Sequence, residues 1–129
     1  MSDYTILKLD DVPDAFGGQY PGEMRFLTQP LGTTQVAFTY RRMPQHTGSK
    51  GSYGHRHGWM EEIYFVISGK LQFKLGDEVL EVGRHQAVRV PAQTFRGVWN
   101  DEPEDAELVI VSQRGQDEVE RTDEGFWPG

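Results

Sequence analysis

His55-Arg56-His57-Gly58-Trp59-Met60-Glu61-Glu62-Ile63-Tyr64-Phe65-Val66-Ile67-Ser68-Gly69 is the stretch that decides the fold. On an extended strand, side chains at i and i+2 share a face. His55 and His57 therefore point the same way, close enough for their imidazoles to reach one ion. Glu62 leads the next strand. If the two strands are neighbours, its carboxylate completes a facial set of two nitrogens and one oxygen. That set suits non-haem Fe(II), and also Mn, Ni, Co or Zn. Ile63–Ile67 shows no polar alternation, so it reads as a strand covered on both faces. Its outer side is then expected to meet a second sheet, the terminal segments or another subunit.

Outward from this stretch the periodicity is that of strands. Met24–Thr28 and Gln35–Met43 are β-rich, and Pro30 and Gly32 split them. Tyr4–Leu9 reads as a short edge strand and Ser52–His57 as an incoming one. Leu71, Phe73 and Leu75 alternate with Gln72 and Lys74, which gives that strand one wet face. Gly76-Asp77-Glu78 is a tight hairpin turn. Val79–Val82, Ala87–Val90, Gln93–Trp99 and Ala106–Ser112 complete the set. Asp10–Gly22, Pro44–Gly54 and the acidic Asn100–Asp105 are connections, and Gly115–Gly129 is a tail. Many short strands without an amphipathic helix point to an all-β sandwich or barrel. With no repeat and no linker, residues 1–129 form a single domain.

Composition narrows the function. The chain has 129 residues, enough for one compact core and too few for two ordinary ones. There is no Cys, which excludes disulfides, thiol nucleophiles and Cys-bound metals. Lys and Arg total 13 against 20 Asp and Glu, a net charge of −7. That balance disfavours nucleic acid and anionic membrane surfaces as partners, although a local basic pocket remains compatible with it. The longest apolar run is Ile63–Ile67, far short of the ~20 residues that span a bilayer. Met1-Ser2-Asp3 is not the start of a secretory leader, so a cytoplasmic protein is expected.

The stretch from Gly48 to Gly69 resembles the first motif of the cupin superfamily. That motif is a Gly-rich lead, His-x-His, three or four residues, Glu, six residues and Gly. Glu62 falls in the ligand position, better than Glu61, and Ser49 stands at the leading Gly, between Gly48 and Gly51. The second motif maps onto His85 through Asn100. Pro91 and Asn100 match it, while His85 and Gln93 replace its two glycines. Arg96 stands where the fourth metal ligand would be. The resemblance covers about residues 35–113. It implies a cupin-type double-stranded β-helix (jelly-roll barrel), often a homodimer, with the site inside the barrel. It also implies a divalent metal ion (Fe, Mn, Ni or Zn) held by His55, His57 and Glu62, and a small-molecule ligand. If the chain is an enzyme, a metal-dependent dioxygenase or isomerase is the implied type, though the fold does not choose among the superfamily's functions.

Arg96 decides how the charges balance, because a guanidinium carries donors only and cannot ligate a cation. Three arrangements satisfy it. Arg96 swings outward to grip an anionic substrate beside a bound metal; or an Arg96–Glu62 ion pair replaces the metal in a non-catalytic ligand-binding module; or Arg96 faces away. Tyr64 shares the face of Glu62 and reads either as packed core or as a phenol at the pocket, so Arg96 and Tyr64 are the candidate substrate-binding residues. His46 and His85 are expected at the surface, and Glu61 in solvent or at a subunit interface. Arg41-Arg42 reads as a solvated strand end, with a small anion clamp as the other possibility. Phe126-Trp127-Pro128 is expected to dock on the barrel or reach across a dimer. Trp59 and Met60 either roof the pocket or fill core.

Overall fold

A computed structural model describes residues 3–129; Met1 and Ser2, used above in reading the N-terminus, lie outside it. Eleven strands are present among the described residues. In chain order they are β1 (Glu23–Phe26), β2 (Val36–Met43), β3 (Thr47–Gly48), β4 (His55–His57), β5 (Glu62–Ser68) and β6 (Lys70–Leu75), then β7 (Glu78–Gly83), β8 (Ala87–Val90), β9 (Arg96–Asn100), β10 (Ala106–Gln113) and β11 (Val119–Arg121). One sheet runs β1-β2-β10-β5-β8 and the other β11-β4-β9-β6-β7, with β3 added against β9. Every pairing is antiparallel. The two sheets face each other as the expected all-β jelly-roll barrel.

Period-two alternation builds the interior. Tyr64 and Val66 from β5, Leu71 and Phe73 from β6, Val98 from β9 and Leu108 from β10 are buried in one cluster with Met43. Gly69 joins β5 to β6 at φ +78, and a Cβ there would lie 2.8 Å from both Ala106 Cα and Asp105 O. Only glycine meets both demands. Asn100 is fully buried. Its amide donates to the Met43 and Glu104 carbonyls, and its Oδ1 accepts from Glu102 N–H, all at 2.8 Å. That fixes the link between β9 and β10.

Several expectations are corrected. Tyr4–Leu9 is not a strand: residues 4–8 are irregular and Leu9–Asp11 is a 3-10 turn. A one-turn α-helix, Thr28–Leu31, closed by Gly32 at φ 73, occupies the end of the Met24–Thr28 segment. The incoming strand is only His55–His57, and β9 begins at Arg96 because residues 92–94 turn after Pro91. Among the described residues the outer face of β5 is left partly open, so of the expected covers only another subunit remains. Ile63 is 42% exposed, and Phe65 and Ile67 are half-buried, with His85 stacked on Phe65 at 6.3 Å. No helix among the described residues is long and apolar enough to cross a membrane.

The tail does more than the sequence suggests. β11 pairs with β4 along its whole length, Val119 opposite His57 and Arg121 opposite His55. Trp127 is buried and bridges to Ser52, as the docking reading expected. Phe126 lies so close over Gly54 that a Cβ there would meet its ring at 2.5 Å. The C-terminal residues thus clamp the strand that carries the two histidines. Trp127→Ala is expected to lower stability by about 3 kcal/mol in denaturant unfolding, within the range for removing a buried Trp. Val119→Ala, on an exposed site of β11, is expected to cost under about 1 kcal/mol.

Candidate metal centre

His55 and His57 point into the barrel from β4, and Glu62 points in from the first position of β5. Their ligating atoms all lie within 4.8 Å of one another. His57 Nε2 is 3.3 Å from Glu62 Oε1, and His55 Nε2 is 4.0 Å from the same oxygen. The two imidazoles are nearly perpendicular, 83° apart. Donors bound at ~2.0–2.2 Å to one ion sit roughly 3–3.5 Å apart. One edge of the set already has that length, and small side-chain rotations close the rest.

The donor chemistry fits a cation. Both nitrogens of His57 are buried without a hydrogen-bond partner. A buried polar atom left unpaired is costly, and an ion between Nε2 and Glu62 removes that cost. Burial, and next the Arg96 guanidinium, push the His55 imidazole down to about 4, against the opposing pull of Glu62. His55 is therefore neutral at pH 7 and offers a lone pair. Tyr64 donates its hydroxyl to Glu62 Oε1 at 2.7 Å. Burial, and then Glu62, hold that phenol well above its ordinary value, so it remains a donor.

Arg96 sits directly opposite His55 in the β4–β9 ladder and has no exposed surface. It neither swings outward nor faces away. Its Nη2 donates to the carbonyls of Pro91 at 2.8 Å and Val90 at 3.4 Å. Its Nε approaches Glu62 Oε1 at 4.0 Å without a hydrogen bond, and Nε and Nη1 have no partner. A cavity of about 240 Å³ opens beside this cluster, lined by His55, Glu62, Tyr64, Arg96, Ser49 and Arg41, with Met24, Phe26, Val98 and Ile110 as apolar wall.

Asp117 is a site residue that the sequence reading passed over. It sits in the tail just before β11, with its side chain 4% exposed. Its Oδ2 is 3.8 Å from His57 Nδ1. Burial alone would raise its carboxyl, but donation from the N–H groups of Met60, Trp59 and Glu118, with His57 adding to it, holds it below the usual range. Asp117 therefore stays ionised beside His57, close to Nδ1 but without a hydrogen bond to it. The other expectations divide. Glu61 is exposed and pairs with Arg89 at 3.0 Å. His46 and His85 are at the surface. Met60 fills core while Trp59 lies over the tail, its indole donating to Gln116 O. Of the pair Arg41-Arg42, only Arg42 is the solvated strand end.

Comparison with known proteins agrees with this geometry. No curated protein matches the chain in sequence. Among solved structures, a sugar phosphate isomerase of the cupin superfamily from Silicibacter pomeroyi DSS-3 superposes with a TM-score of 0.79 at 20% identity, over 92% of this chain and 82% of that one. The polyketide cyclase RemF from Streptomyces resistomycificus gives 0.72 at 20% identity, over 89% and 82%. A protein from Acidithiobacillus ferrooxidans ATCC 23270 gives 0.66 at 20% identity over 77% of this chain, which spans 64% of that protein. At such identities the likeness is one of fold. The family model described as Cupin domain matches residues 41–112, more than half of the chain. Motif, barrel and match agree: the chain belongs to the cupin family.

Proposed function

We propose that this cupin binds one divalent metal ion through His55, His57 and Glu62, and that it binds or transforms a small polar or anionic molecule in the adjoining cavity. The observation that carries this reading is the buried, unpartnered His57 Nε2 at 3.3 Å from Glu62. Bound there, an ion with three protein donors would keep open positions for the ligand's oxygens and act as a Lewis acid. Tyr64 orients Glu62. Arg96 and Tyr64 form the polar back wall against which the ligand rests. Sugar phosphate isomerases and a polyketide cyclase share the barrel, so the site, and not the fold, selects the chemistry. The apolar Ile63-Phe65-Ile67 face supports a homodimer, which sedimentation tests.

The alternative, an Arg96–Glu62 pair in place of the ion, draws on their 4.0 Å approach. It leaves His57 unsatisfied and joins the two groups by no hydrogen bond. Calorimetric titration separates the readings. Chelator-stripped protein is expected to take up one Mn, Fe, Ni or Zn ion per chain and to melt at a higher temperature, and His57→Ala to abolish both effects. No uptake and no shift with any of the four ions contradicts the proposal. Asp117→Asn keeps an acceptor for the loop amides and is expected to weaken metal affinity about ten-fold.

A further inference from the structure

Arg41 and Arg42 are neighbours on β2 and point to opposite faces. Arg42 points outward and is held by Glu23 at 3.1 Å and Asp105 at 2.8 Å. Arg41 points inward and lines the cavity that His55, Glu62 and Tyr64 also line. Among the described residues it belongs to no ion pair, and its buried Nε has no hydrogen-bond partner. Burial depresses its guanidinium, against the opposing pull of Tyr64. A guanidinium keeps its charge at neutral pH, so an uncompensated one in a half-closed cavity is unfavourable until an anion arrives.

We infer that Arg41 is the anion-recognising residue of this cavity, gripping the carboxylate or phosphate of a small organic anion whose other oxygens face His55, His57 and Glu62. The donor-set half of this statement rests on the proposed function, while the anion half stands on Arg41 alone. A guanidinium fork matches two oxygens of either group. Arg96 is less free for that task, because Nη2 is committed to two carbonyls and Glu62 shares its charge. A volume of about 240 Å³ suits a small molecule. Arg41 also lines a second hollow, of about 390 Å³, with Phe16, Tyr20 and His46. Arg41 is thus common to the linings of both hollows. The net charge of −7 repels anions at long range, so attraction has to be local.

The test uses metal-free protein titrated calorimetrically with inorganic phosphate and, separately, with acetate. Wild type is expected to bind one of them with a Kd of about a millimolar. Arg41→Gln is expected to weaken that at least about ten-fold, the lower end for a lost charge-assisted hydrogen bond. Arg114→Gln, an exposed control, leaves it unchanged. Arg41→Gln is also expected to melt no lower than wild type, since it removes an uncompensated charge. If it melts lower, Arg41→Lys decides, because it keeps the charge and must bind better than the Gln variant. Equal loss in both variants, unchanged binding in Arg41→Gln, or no uptake of either anion by wild type overturns the assignment. Preference for phosphate identifies a phosphorylated ligand, and preference for acetate a carboxylate. Mn titration of the same samples separates the two halves. Anion uptake without metal uptake overturns the donor-set reading alone, and metal uptake without anion uptake overturns Arg41 alone.

Discussion

The cavity lining sets one carboxylate, Glu62, against two guanidinium groups, Arg41 and Arg96. Everything at the site follows from that imbalance. Water cannot neutralise buried charges cheaply, so each must find a partner or a hydrogen-bond shell. Arg96 finds the Val90 and Pro91 carbonyls at the end of β8 and the flank of Glu62. Glu62 finds the Tyr64 hydroxyl and the imidazole edge. Arg41 forms no ion pair among the described residues, and its buried Nε has no hydrogen-bond partner. On the proposed reading, a metal ion between the histidines would increase the positive excess, so metal and anionic ligand would favour each other.

The site depends on a strand that cannot stand alone. β4 has three residues and meets β9 in one residue pair, His55 with Arg96. Its other edge is closed by β11, and its approach is pinned by Phe126 and Trp127. The tail therefore holds the strand that carries both imidazoles, and Asp117 on the same tail lies 3.8 Å from His57 Nδ1. This explains why the last fifteen residues, exposed for the most part, still belong to the functional unit.

The donor triad was legible because its information is local. His55 and His57 share a face by strand parity, and the cupin motif's spacing to Gly69 favours Glu62 over Glu61. The barrel followed from alternation and turn residues. What escaped depends on partners far along the chain. Val119-Glu120-Arg121 is wholly exposed and carries no apolar alternation, so only its pairing with β4 makes it a strand. Asp117 acquires its role from N–H groups near residue 60. Arg41 was hidden by parity: Tyr40 and Met43 are both buried although they lie on opposite faces of β2, so burial alone does not show which way Arg41 turns. Ile63–Ile67 is partly exposed on its outer side among the described residues, which leaves another subunit among the covers its unbroken apolar run calls for.

The central claim is that two imidazoles and one carboxylate enclose an ion inside the barrel. Anomalous diffraction at the manganese edge, from crystals grown with Mn, tests it most directly. The account predicts one strong peak roughly 2.0–2.3 Å from nitrogens of His55 and His57 and an oxygen of Glu62. A cavity without anomalous density, or a peak held by other residues, contradicts it.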